Sequence, residues 1–260
     1  MPDKDLNDLE ERLCGAVVVL IPAFNEAQAL PAVLRRMPHR LDGVPVTAVV
    51  VDDGSTDGTA EVAERCHAIV IRQPTNLGGG AALKAGFAAA VENEARVVVT
   101  MDADGQHLPE ELPALVRPVL AGDVDLTLGS RALGSADPNS SARELGITVF
   151  NRLISVLMRR RITDCSNSYR AIRTSLIPQL NLRQQQFHTS ELLIEAMARG
   201  ARVAEVPVTV ALRTHGETRK PRTFRYGYGF ARAIVMTWLR TLPLRLARRK
   251  QARSHLRRQV

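Results

Sequence analysis

Two acids one residue apart, Asp102 and Asp104, close an apolar β-branched run over residues 95–101, and an amide follows at Gln106. Alternate side chains on an extended chain point the same way. The two carboxylates can therefore share one hard divalent cation, with the Gln106 side-chain oxygen as a third ligand. Such a cation is suited to holding a diphosphate. A polar turn capping the strand would use the same residue types, because Asp and Gly favour turn geometry for their own reasons. On these residues alone both readings stand.

The elements that must position this pair can be read from hydrophobic patterning. Apolar runs over 16–21, 46–51, 68–71 and 96–101 alternate with Ala- and Leu-rich segments of helical length, and 125–129 supplies a further strand. Strands alternating with helices predict an α/β chain with a parallel sheet. Continuous apolar strands predict burial on both faces. Ligands of such sheets bind beyond the strand carboxyl ends, and polar residues gather there. Pro22, Ala23, Phe24, Asn25 and Glu26 follow the first strand, Asp52, Asp53, Gly54 and Ser55 the second, Asp102 and Asp104 the fourth. Three strand ends thus converge on one crevice. Asp52 and Asp53 have a second reading as turn or helix caps.

Several classes are disfavoured. The first strand lacks the Gly-x-Gly-x-x-Gly turn of dinucleotide binders, and Gly78, Gly79 and Gly80 lack the Gly-Lys-Ser/Thr ending of a phosphate loop. No Gly-rich, Arg-containing signature of a nucleotidyltransferase follows the first strand. A receiver domain would account for the acidic pair plus Asp102, but not for the length or the C-terminal half.

That second half reads as a loop over 135–141 suited to a lid, a helix over 142–160, a helix over 189–199, a strand over 202–210 and a basic loop over 213–221. The segment 226–246 intersperses Tyr226, Phe230, Ile234, Trp238 and other apolar residues with arginines. It reads either as a helix in a headgroup layer or as one packed on the domain's own core. The formal net charge is +8, and residues 240–260 alone hold eight positive charges and no acid. A terminal basic segment beside an apolar helix suits an anionic membrane surface rather than nucleic acid. Cys14, Cys66 and Cys165 match no zinc or disulfide pattern, as expected of reduced cytosolic thiols. No apolar run approaches the roughly 20 residues that span a bilayer, and residues 1–12 lack the apolar stretch of a signal peptide. The expectation is a cytoplasmic protein, peripheral on the cytoplasmic face of the membrane.

Five segments in order, 21–26, 50–59, 76–86, 101–107 and 129–131, resemble the family 2 glycosyltransferases of GT-A fold. Residues 164–171, Glu205 with Pro207, Arg213 with Gly216, and 218–221 resemble the polyprenol-phosphate (dolichol-phosphate) mannosyltransferase branch. The match covers nearly the whole chain. Two departures stand out: Ser168 where relatives usually carry Gly, and Thr218-Arg219-Lys220 where they carry Ser-Lys-Lys.

The resemblance implies a GT-A Rossmann-like nucleotide-binding sheet with flanking helices and a C-terminal amphipathic helical, basic tail. Residues 1–15 would form an N-terminal lead, 16–221 the glycosyltransferase domain, and 222–260 an amphipathic, basic membrane-surface segment. It implies metal-dependent, inverting transfer of a hexose, with mannose from GDP-mannose preferred, onto polyprenyl phosphate. The alternative is another donor, UDP-glucose or UDP-N-acetylglucosamine, or a hydroxyl acceptor.

Residue roles follow from the same resemblance. Asp102, Asp104 and Gln106 would hold Mg²⁺ or Mn²⁺. Pro22, Ala23, Phe24 and Glu26 would line the nucleoside pocket, with Asp53 on the base, Asp52 near it and Asp102 at the nucleotide. A phosphate monoester has a second pKa near ~6, so such an acceptor needs cations rather than a strong base. Arg131, Arg213 and Lys220 would supply them beside Asp104, with Arg143 and Arg219 in lesser roles. A hydroxyl acceptor would need a general base; Glu191 is suggestively placed, and equally suits the N-terminal end of its helix dipole. His107 and His188 read as structural. The expected partners are a nucleotide sugar, polyprenyl phosphate and an anionic membrane surface, with a separate membrane partner or a homo-oligomer also open, and no nucleic acid.

Overall fold

In the computed structural model, which describes residues 9–136, 141–213 and 224–258, the Val-rich first run becomes β1 (Val17–Ala23) near the middle of an eight-stranded sheet. The other strands are β2 (Arg40–Leu41), β3 (Val44–Asp52), β4 (Ile69–Arg72), β5 (Val97–Thr100), β6 (Leu126–Ala136), β7 (Arg170–Arg173) and β8 (Val203–Val210). Their order is β4-β3-β1-β5-β7-β6-β8, with β2 folded back on the start of β3. The helices are α1 (Leu30–Arg35), α2 (Thr59–Arg65), α3 (Gly79–Glu92), α4 (Leu112–Leu120), α5 (Ser141–Met158), α6 (His188–Arg199), α7 (Phe224–Arg240) and α8 (Leu242–Arg258).

Side-chain alternation divides β1 between two cores. Val17, Val19 and Ile21 pack with Leu30 of α1 and Leu115 and Val116 of α4. Val18 and Leu20 pack on the other face with Leu83 and Phe87 of α3, Leu193 of α6 and Ile234 of α7. Burial of both faces is what the uninterrupted apolar strands predicted. Helix α3 lies so close to β1 that a side chain at Gly86 would run into Leu20.

The sheet is mixed rather than parallel throughout. β4, β3, β1 and β5 are parallel, as are β6 and β8, but β7 runs antiparallel between β5 and β6. Arg170-Ala-Ile-Arg173 has only two apolar residues between its arginines, too short a pattern to announce a strand. The expected strand over 125–129 extends to Ala136, with an irregularity between Ser130 and Ser135. The loop expected as a lid lies largely outside the described residues.

The segment read as one helix over 226–246 is two. α7 ends at Arg240 and α8 begins at Leu242, where Pro243 suits a first helical turn. α7 buries Phe230, Ile234 and Thr237 and exposes Val235, Met236 and Leu239. One face thus packs on the core while the other is apolar and uncovered. Trp238 donates its indole N–H to Leu157 O at 2.9 Å, and the Arg245 guanidinium stacks 4.5 Å from the Trp238 ring. Among the described residues no helix is long and apolar enough to cross a membrane.

Candidate active site

The loops after β1 and β3 are laced together. The Asn25 N–H donates to Ser55 Oγ and the Thr56 N–H to Asn25 Oδ1, both at 2.9 Å. Glu26 N–H donates to Thr59 Oγ1 at 2.9 Å and Ala27 N–H to Asp57 Oδ2 at 3.1 Å. Pro22, Ala23, Phe24 and Glu26 therefore sit on a braced rim. Asp53 spends both carboxylate oxygens on the next segment, accepting Leu77 N–H and Gly78 N–H at 2.8 Å each. Asp52 Oδ1 accepts Ser55 N–H at 3.0 Å, and its Oδ2 has no hydrogen-bond partner among the described residues. The turn-capping reading thus describes Asp52, which keeps an oxygen for a ligand, while Asp53 ties its loop to the segment before α3. Gly54, with φ 75°, makes the loop possible: a Cβ there would lie 2.6 Å from the Thr75 carbonyl carbon.

β5 ends at Thr100, so Asp102 and Asp104 lie on a turn rather than on a strand. Asp102 N–H donates to His107 Nδ1 at 3.1 Å, and Asp104 Oδ1 accepts Gln106 N–H at 3.0 Å. These bonds draw the chain round, with Gly105 at φ 77°. With Nδ1 accepting, His107 donates from Nε2 to Asn167 Oδ1 at 2.9 Å and stacks on Tyr169 at 4.7 Å. His107 is accordingly structural. Gln106 joins the turn to the end of β8, its Nε2 donating to Ala211 O at 3.1 Å and its carbonyl accepting Ala211 N–H at 2.9 Å.

That junction places Arg213. Its Nη2 donates to Asp104 Oδ2 at 2.7 Å, and Nη1 lies 3.6 Å from Glu26 Oε1. A guanidinium thus seats itself between carboxylates from two strand ends. Among the described residues no three His, Cys, Asp or Glu side chains gather as a metal site. Two carboxylates beside an amide nevertheless fit Mg²⁺ or Mn²⁺, which commonly take one or two carboxylates and complete their shell with water and substrate phosphate.

Arg131 is a bidentate partner of Asp164, with Nε at 2.6 Å from Oδ2 and Nη2 at 2.7 Å from Oδ1. Burial opposes its charge, but the Asp164 hydrogen bonds prevail and its pKa is raised. Glu205 of β8 holds the turn carrying Asp164, accepting Thr163 N–H at 2.8 Å and Asp164 N–H at 3.0 Å. Arg213, Asp104 and Glu26 are therefore brought together, while Arg131 is directed at Asp164. Lys220, Arg219 and the Arg143 side chain lie outside the described residues.

Two features escaped the sequence reading. Arg170 is a fully buried cation with three carbonyl acceptors: Asn167 O at 2.8 Å, Cys165 O at 2.7 Å and Thr189 O. Burial lowers its pKa to about 10, which leaves it charged at neutral pH. Arg170 lies within the 164–171 segment that carries the family resemblance, but no local pattern announces its burial. Glu191 accepts Arg183 N–H at 2.8 Å and Gln184 N–H at 2.7 Å on Oε2, and Arg240 Nη2 at 2.8 Å on Oε1. Both oxygens are engaged in holding structure.

Comparison with known proteins identifies the class. The chain matches the model of glycosyl transferase family 2 over residues 18–180, and it belongs to that family; it is a glycosyltransferase. It is 34% identical over 216 residues to polyprenol monophosphomannose synthase of Mycolicibacterium smegmatis, covering 78% of this chain and 80% of that one. It is 33% identical over 215 residues to undecaprenyl-phosphate mannosyltransferase of Micrococcus luteus, covering 78% and 86%. The fold is GT-A: glucosyl-3-phosphoglycerate synthase from Mycobacterium tuberculosis, solved with Mn²⁺, UDP and glucosyl-3-phosphoglycerate, superposes with a TM-score of 0.66 at 22% identity. That match covers 93% of this chain and 85% of that one.

Proposed function

We propose that this glycosyltransferase moves a hexose, with mannose from GDP-mannose the preferred donor, onto polyprenyl phosphate with inversion at the anomeric carbon. The observation that carries the reading is Arg213 at 2.7 Å from Asp104 and 3.6 Å from Glu26. It puts a phosphate-binding fork beside the carboxylates best suited to a nucleotide-bound cation. The mannosyltransferase names of the two relatives support the lipid phosphate acceptor.

An acceptor phosphate oxygen attacks the anomeric carbon as the bond to the diphosphate oxygen breaks, and nucleoside diphosphate leaves. One displacement inverts the centre. Since the second phosphate pKa is near ~6, the acceptor arrives already nucleophilic. The task of Arg213, Arg131 and Lys220 is then to orient it. Asp102 and Asp104, with Gln106, would hold Mg²⁺ or Mn²⁺, whose positive charge would stabilise a departing diphosphate. Pro22, Ala23, Phe24, Glu26, Asp52 and Asp53 frame the nucleoside. Residues 16–221 form the catalytic unit. Residues 222–260 hold it peripherally at an anionic cytoplasmic membrane face, through the outer apolar face of α7 and the basic α8.

The test is incubation of the purified protein and Mg²⁺ or Mn²⁺ with a panel of sugar nucleotides, with and without short polyprenyl phosphate. Organic-phase sugar and released nucleoside diphosphate are followed. Lipid-dependent product from GDP-mannose, abolished by Asp102→Ala, is expected. Lipid product from UDP-glucose or UDP-N-acetylglucosamine would keep the mechanism and replace the donor. No lipid product with any donor would overturn the acceptor.

A further inference from the structure

Asn167, Ser168 and Tyr169 each bind a different point of the 100–108 loop. Asn167 Oδ1 takes the His107 Nε2–H at 2.9 Å, and the Tyr169 hydroxyl donates to Leu108 O at 2.8 Å. The Ser168 carbonyl accepts the Thr100 hydroxyl. These three bonds hold a ring, a backbone carbonyl and the Thr100 hydroxyl. The Ser168 hydroxyl does something else: it donates to Asp102 Oδ1 at 2.8 Å.

We propose that Ser168 is a positioning residue that fixes the carboxylate plane of Asp102 and so favours Mg²⁺ over larger divalent cations at this site. The inference rests on the reading that Asp102 and Asp104 hold a cation together with the donor diphosphate. A carboxylate can grip a cation through one oxygen or through both. The Ser168 hydroxyl occupies one lone pair of Oδ1 and fixes the carboxylate plane through a charge-assisted hydrogen bond, which disfavours the rotation a two-oxygen grip requires. The hydroxyl thereby favours coordination through a single oxygen. That suits Mg²⁺, which demands near-ideal octahedral geometry, and works against Ca²⁺, which accepts two-oxygen carboxylates in a flexible shell.

Among the described residues, two neighbouring hydroxyls are engaged elsewhere. Thr100 Oγ1 donates to the Ser168 carbonyl, and Ser166 Oγ lies 3.4 Å from Asp164 Oδ1 and accepts Arg131 Nη2 at 2.7 Å. The position is also tolerant: Ser168 is only half-buried, so shortening it leaves the Asn167 and Tyr169 anchors in place.

The experiment compares full-length protein with Ser168→Ala, Ser168→Gly and Ser168→Thr. Binding of Mg²⁺ and of Ca²⁺ is measured by calorimetry in the presence of GDP and, separately, UDP, and circular dichroism checks the fold. Loss of the hydroxyl should weaken Mg²⁺ by about tenfold, the lower end of what removing support from a metal ligand does. Ca²⁺ should change far less, moving the Mg²⁺-to-Ca²⁺ affinity ratio by nearly the same factor. Ser168→Thr, which keeps the hydroxyl, should hold the ratio of the unaltered protein. An unchanged ratio in both Ser168→Ala and Ser168→Gly overturns the role. If the unaltered protein binds neither cation with either diphosphate, the reading of Asp102 and Asp104 fails first, and the inference with it.

Discussion

Arg240, at the end of α7, lies 2.8 Å from Glu191 Oε1 and 2.8 Å from Glu195 Oε1, two acids of α6 that are almost wholly buried. Glu191 passes the tether on. Its Oε2 holds the N–H groups of Arg183 and Gln184, and the neighbouring Gln185 carbonyl accepts Gly80 N–H at 2.8 Å at the start of α3. The end of α7 is thereby connected to the start of α3. Removing one partner of a buried ion cluster leaves uncompensated charge, so Arg240→Ala should cost about 3 kcal/mol or more. Urea denaturation measures it, and an unchanged midpoint would sink the idea. Glu191→Gln should likewise lower stability. A general-base role predicts instead a large fall in kcat at unchanged stability.

Arg213 separates binding from chemistry. Arg213→Ala removes the fork beside Asp104 and its 3.6 Å approach to Glu26, but leaves the backbone N–H hydrogen bonds that brace the loops after β1 and β3, so nucleotide binding by calorimetry should survive. Transfer to polyprenyl phosphate should fall by about a hundredfold, the scale of a misplaced reactant. Arg213→Lys should recover only part, because a point charge lacks the planar fork. Equal loss of nucleotide binding and turnover would assign Arg213 to the donor instead.

Asp164 makes acid stability testable. Burial pushes its carboxyl pKa up, but hydrogen bonds and charge from Arg131 prevail and hold it below the ordinary value. A depressed folded value means the stabilisation is complete above the unfolded pKa of about 3.9 and is lost as pH falls through the folded one. Asp164→Asn should be less stable at neutral pH, and its deficit should shrink as pH drops below about 4. Urea midpoints across that range give the answer; a deficit that stays constant would contradict the assignment.

The three cysteines should react in order of exposure. Cys14 is exposed, Cys66 intermediate and Cys165 buried. Burial pushes the Cys165 thiol up to about 12, against the opposing pull of Arg170. The thiolate is the reactive species, so at neutral pH a disulfide reagent should label Cys14 first and Cys165 only on unfolding. Fast labelling of Cys165 in the folded protein would contradict its placement between Asp164 and Arg170.

What was legible in the chain was whatever local pattern controls. The apolar runs before Pro22, Asp52 and Asp102 became strands because at most a single threonine interrupts each, and their ends do meet. What depends on partners distant in sequence was not legible. β7 exists because β5 and β6 leave a gap that Arg170–Arg173 fills, and no alternation over four residues can announce that. Alternation on an extended chain was also the wrong ground for pairing Asp102 with Asp104, because His107 and Gln106 fold that segment into a turn. Glu191 reads as a base only for a hydroxyl acceptor, and its place at a helix start suits the helix dipole equally. Its partners lie 7, 8 and 49 positions away, and only the folded chain brings in Arg240.

The same architecture shapes the membrane test. Deleting 240–260 outright would remove Arg240 from Glu191 and Glu195, so lost vesicle binding could reflect lost structure. Truncation after Arg248 is cleaner. It keeps Arg240, the Arg245 stack on Trp238 and the packing of Arg248 over Gly200, while removing Arg249, Lys250, Arg253, Arg257 and Arg258. Each cation near an anionic surface contributes about 1 kcal/mol, so partitioning into phosphatidylglycerol vesicles should fall by at least about a hundredfold, with the thermal midpoint nearly unchanged. Neutral vesicles should bind both forms weakly, through the exposed Val235, Met236 and Leu239 face. Vesicle binding that survives truncation would move the attachment to that apolar face alone. Steeply salt-dependent binding to arbitrary DNA or RNA, with none to vesicles, would reassign the basic helix to nucleic acid.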